Sequence, residues 1–578
     1  MIIGRISEVK GTRVVGIFYE KLPPHLIEKS EVITAPQINS YVKTRVGLDI
    51  VVCQIVGENE IEYYKQNTSR QNYEESDEMF LVDLEVRGRI AGGKFFGGLR
   101  CLPIVGARIE TLSMDDYKSL FSTTEKAINV GRNLFDTNIT VRLNINKLIP
   151  SHIGIFGNTG SGKSNTLARL LKEYISVIPK GADNAKVLIF DLNNEYGGNA
   201  IIYIEQKHLY ALTTRKNDGD KIPLDFSQLT EDNWGTILRA TQKTQMPVVR
   251  RAYKKSISNE PTDYNTEIKR MLVNKRVQMF FTLREYGAEF FKGIEEISYN
   301  KTTEGFYYNT ERGNDYIKSL SDCRDTSVMS NITDNLDRFI LELLFEIARS
   351  SESGTNFEYI QPLLPRARAA VKDLKKTFEH KKDAHISSIF NKKLLTIVQL
   401  GNVNAGTRET IPSLLSELIF QNAINSRENE KTKSIISIVI DEAHNLLAFD
   451  SESNDLLHDN TLRVFEKVIK EGRKFGVFLY LASQRPSDIS GTITSQIHNF
   501  FIHKLVNPND IERIRKTVSF MGDSSLLMLS ALGQGECIIS GPSLYMPQYV
   551  YVDELSAGSK PNSIDLALFG EQGIFARK

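Results

Sequence analysis

Ile153-Gly154-Ile155-Phe156-Gly157-Asn158-Thr159-Gly160-Ser161-Gly162-Lys163-Ser164 is a short apolar run followed by a loop that satisfies G-x-x-x-x-G-K-[ST] throughout. Leu167, Leu170, Leu171 and Tyr174 then recur at helical spacing. The loop is therefore predicted between a buried strand and an amphipathic helix, the context that separates a phosphate cradle from a chance glycine-rich turn. Gly157, Gly160 and Gly162 let the backbone curl so that successive N–H groups converge on phosphate. The first turn of the helix adds its positive end. Lys163 is the candidate bridge to the β- and γ-phosphates, and Ser164 the candidate Mg²⁺ ligand. Asn158, Thr159, Ser161 and Asn165 complete the predicted ATP-binding stretch.

Outward from that loop the same grammar repeats. Apolar runs at Val187–Phe190, Leu394–Leu400, Ile435–Ile440 and Val477–Leu481 read as buried strands. Helical patterns lie between them, such as Ile411, Leu414, Leu415, Leu418 and Ile419, or Leu462, Phe465, Val468 and Ile469. Strand–helix alternation with continuous apolar strands predicts an α/β core with a mostly parallel sheet covered on both faces.

The strand at Ile435–Ile440 ends in Asp441-Glu442. A carboxylate there can reach the metal shell opposite the loop, so Asp441 is assigned to Mg²⁺ and Glu442 to polarising the attacking water. Taken alone, the pair also reads as an acidic helix start. Gln484, in Leu479-Tyr480-Leu481-Ala482-Ser483-Gln484-Arg485-Pro486, is the candidate γ-phosphate sensor; the bland alternative is a surface turn before Pro486. Arg473, in Glu471-Gly472-Arg473-Lys474-Phe475-Gly476, matches phosphate geometry. Its spacing favours an ordinary basic helix terminus; as an alternative, it serves a neighbouring subunit's nucleotide as an arginine finger.

Before the core, β-branched stretches at Ile2–Tyr19, Tyr41–Val56, Phe80–Ile90 and Leu99–Leu112 are punctuated by glycines. They predict a small antiparallel barrel, which pattern alone does not separate from a sandwich. The expected organisation is a β-rich unit over 1–124 and the first part of the core over 125–228. A helical insertion covers 229–390, the second part of the core 391–553, and an extended arm 554–578.

The 578 residues carry 72 Lys+Arg against 71 Asp+Glu, a net charge of +1, so any nucleic-acid surface must be local rather than global. Cys53, Cys101, Cys323 and Cys537 lie too far apart in sequence to suggest a disulfide framework, which points to a reducing, cytoplasmic setting. No apolar run is long enough to span a bilayer.

Together these segments resemble the HerA branch of the HerA/FtsK ATPases. The resemblance rests on LNINKLI (143–149) leading into FGNTGSGKSNT, then Asp191-Leu192-Asn193-Asn194-Glu195-Tyr196, IVIDEAH, EGRKFG and LASQRPS. Leu532-Gly533-Gln534-Gly535-Glu536 and the β-rich start are also similar to family elements. The letters Asp441-Glu442-Ala443-His444 are shared with two-domain DEAH helicases, but the single motor core and the SQRP segment set this chain apart. The resemblance implies a RecA-like core, a homohexameric ring with ATP between subunits, and Arg473 acting in trans. It also gives Glu195 an active-site or coupling role. Further, it implies translocation of double-stranded DNA with an effector enzyme, a nuclease or sirtuin-type NADase, docked on the barrel face, as in anti-phage defence. An ATP-switched ring scaffold that activates such an effector is the alternative, and a secretion-type pumping ATPase a weaker third.

Candidate DNA-contacting cations are Arg250, Arg251, Lys254, Lys255 and the run Arg366, Arg368, Lys372, Lys375, Lys376, Lys381 and Lys382. A solvated helix face is the simpler reading of both groups, and Asp373 and Glu379 interleave the second. The loops after Glu195 and around Ser490–Thr494 are candidate pore segments. His380, His385 and His444 are weak metal candidates; without cysteine or paired-carboxylate spacing, core or surface histidine is the simpler reading.

Overall fold

The computed structural model describes all residues except 20–21, 29–30, 64–76, 122–125, 217, 259–262, 288–289, 312, 325–326, 329–334, 353–356, 429–433, 449–455, 519–522 and 563–578. Most of the expected C-terminal arm therefore lies outside the described residues.

Alternation builds the first unit. Ile3, Ile6, Val14 and Phe18 are buried along β1 (Ile2–Lys10) and β2 (Arg13–Phe18), while Arg5 and Arg13 face solvent. With β3 (Tyr41–Val46), β4 (Asp49–Tyr63), β5 (Asp77–Ala91) and β6 (Arg108–Thr111) they pair antiparallel in the order β2-β1-β6-β3-β4-β5. β5 then pairs back onto β2, from Arg13↔Glu85 to Phe18↔Phe80. The result is a closed six-stranded barrel, which leaves no edge among these strands. Its interior holds Val14, Val42, Val51, Val82, Leu84 and Ile109. The expected strand Leu99–Leu112 shrinks to β6, because Pro103 and Gly106 break the run and leave Leu99, Ile104 and Val105 exposed.

The second unit contains β7 (Ala127–Asn133), β8 (Thr140–Asn144), β9 (Ile153–Phe156), α1 (Lys163–Val177), β10 (Ala185–Asp191) and β11 (Lys207–Thr213). Next come α2 (Met246–Ser256), α3 (Asn335–Ser351), α4 (Leu363–Thr377), β12 (Leu395–Asn402) and α5 (Ala405–Glu428). β13 (Ile435–Ile440), α6 (Leu456–Phe475), β14 (Val477–Ser483), β15 (Asn499–Ile502), β16 (Glu536–Ser540) and β17 (Gln548–Val552) complete it. The strands form one 11-stranded sheet in the order β8-β7-β17-β16-β15-β9-β14-β13-β10-β12-β11. From β15 to β11 every pairing is parallel, and from β15 to β8 every pairing is antiparallel.

Period-two alternation makes two cores from one sheet. Leu188, Phe190, Ile438, Ile440, Leu479 and Leu481 face one side. Val187, Ile189, Val439 and Tyr480 face the other, where α1 lays down Leu167, Leu170, Leu171 and Tyr174. The first side is covered by α5, α6 and the long segment between β11 and β12. In that segment α2 packs on α3, and Trp234 stacks on Phe339 with ring centroids 3.8 Å apart. It also contains a three-stranded antiparallel ribbon, Ile297–Asn300, Gly305–Thr310 and Gly313–Tyr316, which helical periodicity did not reveal. Parallel alignment brings the carboxyl ends of β9, β14, β13 and β10 side by side along one edge. That edge is where open α/β sheets bind ligands.

Candidate active site

β9 ends at Phe156, and the loop carries the chain into α1 through Gly160 (φ 73°) and Gly162 (φ 107°), both in the left-handed region that favours glycine. Gly162 is the N-cap of α1 and no side chain caps the amides behind it. Uncapped amides at a helix start are a ready anion site. Lys163 is buried, with Nζ 3.3 Å from the Asn158 carbonyl. Burial holds its pKa below the ordinary lysine range, against the pull of Glu442, Asp441 and Glu195.

β13 delivers Asp441 and Glu442 beside this loop. Asp441 Oδ2 accepts a 2.7 Å hydrogen bond from the Tyr196 hydroxyl, and Oδ1 accepts the Glu442 N–H at 2.9 Å. Burial, with Glu195 and Glu442 nearby, pushes its carboxyl up to about 7. β10 delivers Glu195: the Asp191 carboxylate at the strand end accepts the N–H groups of Glu195 and Tyr196, both at 2.9 Å, and fixes the turn. Glu195 stands beside Ser164, and burial raises its pKa. Glu195 Oε2 and Glu442 Oε2 are both buried without a hydrogen-bond partner. Crowded carboxylates, two unpartnered oxygens and a serine hydroxyl are the hard oxygen set that suits Mg²⁺.

Glu442 holds a left-handed backbone at φ 52°, unusual for a residue with a side chain. The next N–H, from Ala443, is pinned at 2.8 Å to the Ala482 carbonyl on the neighbouring strand. The Gln484 amide donates to Glu442 Oε1 and its carbonyl accepts the Thr159 hydroxyl, so one side chain links the phosphate loop to the carboxylate. His444 Nδ1 lies 3.5 Å from Glu442 Oε2. Burial holds the imidazole below its ordinary pKa, so it is neutral at pH 7 and forms no ion pair.

A family model described as Helicase HerA, central domain matches residues 128–419, just over half of the chain. The chain belongs to the HerA family of P-loop ATPases. It is 27% identical over 473 residues to the DNA double-strand break repair helicase HerA of Sulfurisphaera tokodaii, covering 80% of this chain and 77% of the relative. It is 24% identical to the probable DNA double-strand break repair helicase HerA of Methanocaldococcus jannaschii, covering 86% and 89%. Among solved structures, the bacterial conjugative coupling protein TrwBdeltaN70 aligns with TM-score 0.46 and 12% identity over 82% of this chain and 98% of that one.

In this HerA-family chain, Lys163, Ser164, Glu195, Asp441, Glu442 and Gln484 converge, but Arg473 does not join them. Arg473 is exposed near the end of α6, just before β14 begins. Its charge acts on His152 and His498, which directly precede β9 and β15. Arg473 thus sits at the amino edge of the sheet, opposite the phosphate loop. Sequence reasoning gave no role to Tyr196, although it was visible in the DLNNEY run. It also missed His503, whose Nδ1 donates to the Glu536 carbonyl and whose Nε2 accepts the Thr166 hydroxyl, both at 2.9 Å. Burial pushes His503 down to about 4, so it props α1 as a neutral ring.

Several secondary candidates have structural places. His380 stacks on Phe226, and His385 caps a short helix through Ser387. Arg251 and Lys255 share Glu346 at 2.8 Å each, Arg250 pairs with Glu231 at 3.1 Å, and Lys375 with Asp337 at 2.7 Å. Arg366 binds the Leu238 and Arg239 carbonyls. Ser490, Ile493 and Thr494 are buried, while Tyr203, after Glu195, is 65% exposed. Among the described residues no helix is long and apolar enough to cross a membrane.

His152 offers a pH prediction. Its Nδ1 accepts the Leu479 N–H at 3.0 Å, and burial, aided by His498, pushes its pKa down to about 3. A depressed folded pKa contributes stability that is whole above about 6.5 and is lost as pH falls toward about 3. The urea midpoint is expected to drop between pH 7.5 and 4.5, and to drop less in His152→Asn. An equal drop in both would remove His152 as the cause.

Proposed function

We propose that this chain is an ATP-hydrolysing ring motor that grips or moves double-stranded DNA. The convergence of Lys163, Ser164, Glu195, Asp441 and Glu442, with Glu442 Oε2 left free of hydrogen bonds, carries the reading. The amides at the start of α1 and Lys163 hold the β- and γ-phosphates. Gly157 to Asn165 form the cradle. Ser164, with Asp441 and Glu195 nearby, would hold Mg²⁺, which would supply charge neutralisation at the phosphates. Glu442 Oε2 takes the proton of the attacking water, and Gln484 keeps that carboxylate in register with Thr159.

An exposed Arg473 at the opposite edge of the sheet supports closed rings in which each subunit completes its neighbour's pocket, hexameric as in the family reading. The barrel over 1–124 is the docking face for a nuclease or sirtuin-type NADase effector, in anti-phage defence or DNA end processing in the cytoplasm. The core over 125–228 and 391–553 is the motor, 229–390 its insertion and 554–578 its arm.

Lys163→Ala is expected to abolish ATP binding, read by fluorescent-nucleotide titration. Duplex DNA is expected to stimulate phosphate release by the unaltered chain. Internal pairing of Arg250, Arg251, Lys255 and Lys375 favours a second reading, an ATP-switched scaffold for the effector. Turnover indifferent to duplex DNA but altered by the effector would select it over the motor.

A further inference from the structure

Beyond the phosphate loop, on the side away from Asp441, the sheet continues through β15, β16 and β17. Gly535, just before β16, donates its N–H to the Ser161 carbonyl at 3.0 Å, and Val552, at the end of β17, donates to the Gly535 carbonyl at 2.9 Å. In a phosphate loop the amides face the anion, so an outward carbonyl such as that of Ser161 marks the outer wall. Gly535 is packed on that wall. A Cβ on Gly162 would lie 3.1 Å from Gly535 Cα, and a Cβ on Gly535 would lie 3.3 Å from the Tyr551 ring.

Tyr551 is the outward residue of β17. Gln548, Tyr549, Val550 and Val552 are buried, whereas Tyr551 is 39% exposed. Its cross-strand neighbours are Arg132 on β7 and Glu536 on β16. Arg132 Nε stands 3.9 Å from Asp553 Oδ1, with both side chains open to solvent. Asp553 in turn reaches the start of α1: the Asn165 amide donates to its carbonyl at 3.4 Å, and Asn165 Oδ1 accepts the Leu555 N–H at 3.2 Å.

The ends of a bound triphosphate are distinguishable here. The γ-phosphate must face Glu442, so the α-phosphate and nucleoside extend the opposite way, past Asn165 toward β15, β16 and β17. We infer that the exposed face of Tyr551 is the stacking platform for the nucleoside base, with the Arg132–Asp553 pair supplying polar contacts at its rim. The inference rests on the ATP reading above and names residues that lie outside every motif used for it.

Calorimetric titration of the full chain with Mg·ATP and with inorganic tripolyphosphate separates base from phosphate recognition. Tyr551→Ala is expected to weaken ATP binding about tenfold, the scale of one lost base–aromatic stack. Its tripolyphosphate affinity should match that of the unaltered chain, and Tyr551→Phe should keep full ATP affinity. Unchanged ATP affinity in Tyr551→Ala would overturn the platform. So would an equal loss for tripolyphosphate, which would make Tyr551 only a prop for Gly535. Failure of the unaltered chain to bind ATP at all would instead remove the underlying ATP reading.

Discussion

Glu442→Gln is expected to bind ATP normally and turn it over about 10²–10⁴-fold more slowly, the usual loss for a missing general base. The two oxygens of Glu442 have different surroundings. Oε1 is occupied by the Gln484 amide, and a carboxamide oxygen can keep that bond. Oε2 is buried and unpartnered, so it alone is free to receive a proton from water. The substitution is nearly isosteric, and none of the groups that hold phosphate is altered. Single-turnover phosphate release, with ATP affinity measured separately, checks both halves. Turnover like that of the unaltered chain would transfer the base to Glu195, whose Oε2 is likewise buried and unpartnered beside the phosphate loop.

Arg473→Ala is expected to lower turnover by about 10³-fold or more, as removal of an arginine finger does. No path in one subunit explains such a loss. Arg473 lies at the amino edge of the sheet beside His152 and His498, and the phosphate loop leaves the carboxyl edge. Mixing supplies the decisive measurement. A pocket from an Arg473→Ala subunit keeps its own Glu442, and a Glu442→Gln neighbour can offer it an intact Arg473. Two nearly inactive preparations should therefore regain ATPase activity when combined. Flat activity at all mixing ratios would reject the shared pocket.

The parts legible in the sequence are those whose chemistry is local. The phosphate loop carries its strand, glycines and helix within about two dozen residues, and Asp441-Glu442 ends a strand whose apolar run announces it. Long-range pairings were not legible. Barrel closure depends on Arg13 meeting Glu85, a register that neither strand states alone. The Tyr196–Asp441 bond spans 245 residues and exists because β10 and β13 are neighbours in a parallel sheet. The position of Arg473 likewise follows from strand direction rather than spacing. Leu99–Leu112 shows the opposite error, since β-branched composition suggested a strand that Pro103 and Gly106 forbid over most of its length.

The left-handed backbone at Glu442 sets a limit on engineering. Holding a side-chain-bearing residue in that region costs on the order of 1–3 kcal/mol, and glycine there would relieve most of it. A campaign that selects heat-tolerant variants would drift toward glycine at this position and discard the proposed proton acceptor as it did so. Durability and throughput are therefore opposed at one codon, and libraries screened for solubility alone should hold that codon fixed.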